Sequence, residues 1–192
     1  GPDKIVIKNS EGLKFETYQE ACIAGDFESA HRYIAKMEEA GYYFGDIYQA
    51  KKHVFGEEAL YLLSIGDDNA KRRILFLLKQ DPKNSDSYCD MLVDLIIIDD
   101  DEAFLKTIIQ QYNDNINETV LRKVVEYLYI TKGDENVNFV ASLVGRNDKM
   151  DLLFLAAVEK DDVTLIQEMA QEYSGSIKLS TFKTISSVKG RH

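Results

Sequence analysis

Apolar positions recur at helical spacing in five paired runs, and an acidic break separates the two members of each pair. The second members show the pattern most clearly. Phe27, Ala30, Ile34 and Met37 share one face, as do Ile74, Leu77 and Leu78. Phe104, Leu105, Ile108 and Ile109 repeat it, followed by Val137, Val140, Ala141 and Val144. A period between three and four predicts one buried stripe on each helix. The breaks read Ala24-Gly25-Asp26-Phe27, Ile65-Gly66-Asp67-Asp68, Ile98-Asp99-Asp100-Asp101, Lys132-Gly133-Asp134-Glu135 and Lys160-Asp161-Asp162-Val163. The spacing predicts helices near 15–24 and 27–40, 46–65 and 68–80, 85–98 and 101–112, 117–131 and 135–144, and 148–159 and 162–173, with the long 46–65 run breaking at Gly56.

Each break is readable as a stop followed by a start. Gly25, Gly66 and Gly133 supply the left-handed conformation that closes a first helix. The aspartate beside them caps the second helix and places negative charge at its positive end. Thr17-Tyr18-Gln19-Glu20 carries the Thr-x-x-Glu pattern of a capping box. A hairpin cannot bury both of its faces alone, so successive hairpins are expected to stack on one another.

The sequence predicts an all-α fold: a right-handed superhelix of about five stacked helical hairpins with a C-terminal capping helix. Its expected organisation is a tether over 1–14, in which the strand-prone Ile5-Val6-Ile7 has no partner, a helical-repeat domain over 15–175, and a basic capping helix or tail over 176–192. That last segment carries Lys178, Lys183, Lys189 and Arg191, with no acidic residue from 177 onward, and its Leu179, Phe182, Ile185 and Val188 recur every three positions. It reads as a cap over the last hairpin or as a docking segment.

Taking Asp67, Asp100 and Asp134 as markers, the middle breaks lie about 34 residues apart. Gly25-Asp26-Phe27-Glu28-Ser29-Ala30-His31-Arg32-Tyr33-Ile34 resembles the second-helix half of a tetratricopeptide repeat. Asp81-Pro82-Lys83-Asn84, followed by Tyr88, is similar to the linker between two such repeats. The resemblance implies a helical-hairpin solenoid that binds proteins or peptides. Tyr18 stands where that family often has glycine, and repeats three to five lack the linker proline, which leaves a different hairpin solenoid open.

Composition narrows the chemistry. The 192 residues carry a net charge of -10 and no tryptophan, which argues against non-specific nucleic-acid or anionic-membrane binding. Leu92 to Ile98 is the most apolar run, but Asp94 interrupts it, so it reads as a buried helix and not a membrane span. Cys22 and Cys89 fall in different hairpins and read as free buried thiols, a cross-repeat disulfide being the alternative. His31, His53 and His192 lack metal-ligand spacing. Asn113 to Val124 fails as a calcium loop, because Glu118 stands where glycine is required and Val124 where a bidentate glutamate belongs. No phosphate-binding loop or nucleophile elbow occurs. No catalytic residue, metal or cofactor is expected.

The expected role is a non-catalytic protein- or peptide-binding or scaffolding module with a tyrosine-bearing concave groove lined by the first helices. The candidate contacts are Tyr18, Tyr48, Tyr61, Tyr88 and Tyr127, with Lys52, Arg72 and Arg122 as partners for acidic groups. Tyrosine offers large contact area at low entropy cost; the competing reading packs these rings between hairpins. The chain opens Gly1-Pro2, which reads as a protease-cleavage scar with the native start upstream. That keeps a second reading open, an envelope-anchored lipoprotein-type binding protein for carbohydrate or a surface partner. Compartment and oligomeric state stay open.

Overall fold

Four of the five acidic breaks compress a helix stop and a helix start into two adjacent residues. A computed structural model describes residues 3–112 and 116–172. In it Gly25 and Gly66 adopt φ of +74° and +71°, the left-handed closure expected of them, and Asp100 and Asp161 take the same region at +59° and +58°. An aspartate follows each time and caps the next helix. Asp26 accepts from the Ser29 amide at 3.0 Å, Asp67 from Ala70 at 2.8 Å, Asp101 from Phe104 at 3.0 Å and Asp162 from Leu165 at 3.1 Å. In the third and fifth breaks, therefore, the first aspartate does what glycine does elsewhere and the second is the cap.

The fourth break departs from the rule. Gly133 is at φ +136° with an extended ψ. Asp134 opens a single 3-10 turn, Asp134–Asn136, and pairs with Lys160 at 2.7 Å without capping. The second helix there starts at Val137, two residues later than predicted.

The described residues are all-α apart from one short strand pair. The helices are α1 (Tyr18–Ile23), α2 (Phe27–Glu39), α3 (Phe44–Ile65), α4 (Asp68–Gln80), α5 (Ser85–Asp99), α6 (Glu102–Gln111), α7 (Glu118–Val125), α8 (Val137–Arg146), α9 (Met150–Lys160) and α10 (Val163–Glu172). A π-helical segment, Glu126–Lys132, continues α7. The chain divides between Asp99 and Asp100 into two compact units, where the sequence suggested one continuous repeat domain. Within each unit, helices pack against their neighbours in sequence order.

In the first unit α1 packs on α2, α2 on α3, and α3 on both α4 and α5, while α1 also meets α3. First helices thus touch first helices. Burial is even between the two members of a hairpin: α3 buries Ala50, Val54, Phe55, Glu58, Ala59, Leu62 and Leu63 of its 22 residues, and α4 buries Ala70, Ile74, Leu77 and Leu78 of its 13. Gly56 does not interrupt α3, which runs unbroken through it. A Cβ at that position would lie 2.5 Å from the Met91 sulfur of α5, so the missing side chain is the space Met91 fills.

The N-terminal segment is not a tether. Ile7–Lys8 pairs antiparallel with Lys14–Phe15, the partner strand that the sequence reading did not recognise. Ile5, Ile7 and Phe15 are buried with Ala21, Cys22, Ala30 and Ile34 of the first hairpin. The alternation of Ile5, Val6 and Ile7 is a half-buried strand pattern, and burying that face gives the pair the support an isolated two-stranded ribbon lacks. Thr17 caps α1, accepting from Glu20 at 3.0 Å, but the return bond from Glu20 goes to the Glu16 amide, one residue earlier than a standard capping box.

The second unit repeats the arrangement: α9 packs on α7, α8, α10 and the π segment. The π segment presents three consecutive buried residues, Tyr127, Leu128 and Tyr129. Asn136 is fully buried beneath it and donates to Leu128 O at 2.8 Å and Glu102 Oε1 at 2.9 Å. Asn117 caps α7 through the Thr119 amide at 2.7 Å. The expected C-terminal cap over 176–192 and the turn at Asn113–Asn115 lie outside the described residues. Cys22 and Cys89 are free and buried. Burial pushes their thiols up, to about 11 and about 12, with further help from nearby carboxylates.

Candidate functional site

The second helices α2 and α4 both lie on α3, and a groove of about 800 Å³ opens between them in the first unit. Its apolar floor is Ile34, Ala35, Phe55, Phe76 and Leu77. Ile34, Phe55 and Leu77 are buried, while Phe76 keeps 51% of its surface exposed in the groove.

Two ionic cross-ties bracket that floor. At one end Glu58 of α3 is buried, with His31 Nε2 of α2 at 2.7 Å from one carboxylate oxygen and Arg73 Nε of α4 at 3.6 Å from the other. At the other end Lys51 of α3 stands 3.6 Å from Glu38 of α2 and 4.0 Å from Asp81, which follows α4. The signs are inverted between the two. An imidazole and a guanidinium flank a central carboxylate at the first tie, and carboxylates flank a central ammonium at the second. In each tie the central side chain is more buried than its most exposed partner: 8% exposed for Glu58 against 45% for Arg73, and 27% for Lys51 against 51% for Glu38. Arg73 and Glu38 therefore face the groove mouth, whereas Asp81, at 25%, is as buried as Lys51.

Asp81 is the most heavily held of these groups. Asn84 Nδ2 donates to it at 2.9 Å and Tyr88 Oη at 2.8 Å. Burial alone would raise its carboxyl, but these bonds and the Lys51 charge outweigh it and hold the group below the ordinary aspartate range. Tyr88 stacks on Phe55 with centroids 4.3 Å apart and rings 6° from parallel. Its hydroxyl is pushed far up, by burial first and then by the carboxylate it donates to.

The eight residues predicted as contacts do not form one cluster. Tyr88 lines the groove, but as a buried wall whose hydroxyl is committed to Asp81. Tyr127, a candidate groove contact, is also buried, and donates to Asp100 at 2.6 Å in the second unit. The reason is layering: first helices are covered by their neighbours, so their rings pack between hairpins. Tyr18 is half-buried against Tyr33 and His53, and Tyr48 shares a 2.7 Å hydrogen bond with Ser87 of α5. Tyr61 remains 51% exposed, with its ring 5.5 Å from Phe27. Lys52 is half-buried on α3. Arg72 is exposed and donates to Asn69 one turn earlier, and Arg122 is exposed and pairs with Glu118 at 3.2 Å.

The sequence reading missed His31, Glu58, Arg73 and Lys51. One signal was available: Glu58 falls at the core register of α3, with Val54, Phe55, Ala59 and Leu62. A charge at such a position requires a partner. Which helices would supply it depends on packing that one sequence does not display. Among the described residues no cluster of three or more His, Cys, Asp or Glu could hold a metal ion, and no helix is long and apolar enough to cross a membrane. No family model, no curated protein and no solved structure matches this chain.

Proposed function

We propose that the chain is a non-catalytic protein- or peptide-binding module built of degenerate, tetratricopeptide-like helical hairpins, and that the groove between α2 and α4 is its docking face. The observation that carries this reading is the apolar floor, bracketed by two charge cross-ties and carrying the half-exposed Phe76. Apolar clefts with a few convergent polar groups are the default form of a recognition site. The rim charges are already paired within the chain, so they can orient a ligand at modest desolvation cost.

This places docking on the second helices, whereas the tyrosine-groove expectation used the first. The two faces separate experimentally. Ala35→Arg fills the groove from an exposed position on α2, and Tyr61→Ala truncates the exposed first-helix ring. Ligands selected from a displayed peptide library on the full chain are expected to lose at least tenfold in affinity with Ala35→Arg and to be indifferent to Tyr61→Ala, a tenfold loss being about 1.4 kcal/mol. The reverse pattern would return the docking face to the first helices.

A further inference from the structure

The geometry of the groove narrows its ligand, given that the groove is the docking face proposed above. We infer that it takes one amphipathic α-helix carrying an acidic and a basic side chain seven residues apart, with an apolar pair between them. The two cross-ties fix the spacing. They are separated by seven residues on α2, from His31 to Glu38, by seven on α3, from Lys51 to Glu58, and by eight from Arg73 of α4 to Asp81 just past its end. At a rise of about 1.5 Å per residue this puts the ties roughly 10–12 Å apart along the groove. A helix lying along α2 and α4 spans that distance in two turns and returns the same face to both ties.

The cross-ties also show how the walls run. His31 meets Arg73 across Glu58, and Glu38 meets Asp81 across Lys51, so α2 and α4 run in one direction and α3 in the other. A helix seated between them faces the Arg73 guanidinium beside the His31 imidazole at one end and the Glu38 and Asp81 carboxylates at the other. Arg32 and Glu28 also border the Arg73 end, where Arg32 donates to the Lys8 carbonyl at 3.2 Å. The ligand acid belongs beside Arg73 and His31 and its base beside Glu38 and Asp81. Its apolar pair, at positions three and four after the first charge, rests on Phe76 and Leu77.

An extended ligand fits this groove poorly. Its backbone N–H and C=O groups would need partners, and no strand edge lies among the lining residues to supply them. A helix satisfies its own backbone and asks only for side-chain complementarity.

The test uses helix-stabilised 15-residue peptides titrated calorimetrically into the full chain. One carries glutamate and lysine seven residues apart around a Leu-Leu pair. Controls carry two glutamates, two lysines, or glutamate and lysine four residues apart. The first peptide is expected to bind about tenfold more tightly than each control at low salt. Arg73→Glu is expected to invert the preference toward the two-lysine peptide, and Ala35→Arg to abolish binding of all four. Binding that Ala35→Arg blocks but that is equal for all four peptides would overturn this inference and leave the docking face standing. Binding that Ala35→Arg leaves intact would overturn the docking face itself. If library-selected ligands require the groove while none of the four helices binds, the helical ligand is refuted alone.

Discussion

Lys51 and Glu58 lie two turns apart on the same helix, and each is the centre of a three-residue polar tie, one built around an ammonium and the other around a carboxylate. The relationship ties both second helices of the first unit to α3 at two heights. Between the ties Ala35 and Phe76 stay exposed over the buried Ile34, Phe55 and Leu77. The consequences for stability can be separated from those for binding.

Removing the buried charge should cost less than stranding it. Glu58→Gln leaves His31 and Arg73, whose side chains are 42% and 45% exposed, free to turn to water. Its expected cost is about 1 kcal/mol. The double change His31→Ala with Arg73→Ala leaves the carboxylate buried without its partners and is expected to cost about 3 kcal/mol. Urea unfolding midpoints give the order; equal losses would mean that Glu58 is solvated in solution.

The caps should form a graded series. Asp26→Ala, Asp67→Ala, Asp101→Ala and Asp162→Ala each remove an amide partner at a helix start and are expected to cost about 1 kcal/mol, within a range of roughly 0.5–2. Asp134→Ala removes only an exposed ion pair to Lys160 and should cost no more than a few tenths of that. Thermal unfolding of the five variants side by side measures the contrast, and a uniform series would contradict the departure at the fourth break.

Asp162 carries a second duty. Its other oxygen accepts from Tyr129 Oη, while Asp100, which accepts from Tyr127 Oη, is also paired with Lys132 at 2.5 Å. Tyr129→Phe therefore removes the donor to that second oxygen, whereas Tyr127→Phe leaves the ammonium in place. The first change is expected to lose about 1 kcal/mol and the second less. Denaturant midpoints in the reverse order would sink the assignment.

Acid should weaken the first unit through two named carboxylates. Asp26 is held below the ordinary range chiefly by Asn9, against the opposing effect of burial and with help from Ser29 and Arg32. Asp81 is held low although burial works against it. A depressed folded value contributes stability that is complete above the unfolded value, about 3.9 for aspartate. It is lost as the pH falls from there through the lower folded value. The unfolding midpoint should drop below about pH 4, and Asp26→Asn with Asp81→Asn should flatten that drop. An unchanged acid limb in the double variant would show that other groups control it.

One residue is expected to improve on substitution. Asp161 holds φ at +58° at an exposed position, a conformation glycine adopts without penalty. Asp161→Gly should be neutral or stabilising by up to about 1 kcal/mol, whereas Gly25→Ala should destabilise by about as much. Paired melting curves decide between the signs.

The fold was legible where the chain's signals are local. The stripes of α2, α4 and α6 lie where the spacing put them, because an amphipathic period and a capping aspartate act within one or two turns. The strand pair was not legible, because Ile5 to Ile7 become a strand only through Phe15 and the first hairpin. The choice between groove-facing and packed rings for Tyr88 and Tyr127 was open for a similar reason: whether a ring on a first helix meets water depends on the hairpin stacked over it. The groove was least legible of all, since Lys51 and Glu58 acquire meaning only from partners on two other helices.

The two-residue breaks carry a kinetic consequence. Four of them close with amide-to-carboxylate bonds spanning three positions, so those reversals form without help from distant parts of the chain. Loop closure over such short separations is fast, and chains dominated by neighbouring contacts cross their barriers in microseconds to milliseconds. Those four hairpins are thus equipped to arise early, and the contacts that join one hairpin to the next, His31 to Glu58 and Glu38 to Lys51, can form only after both hairpins exist.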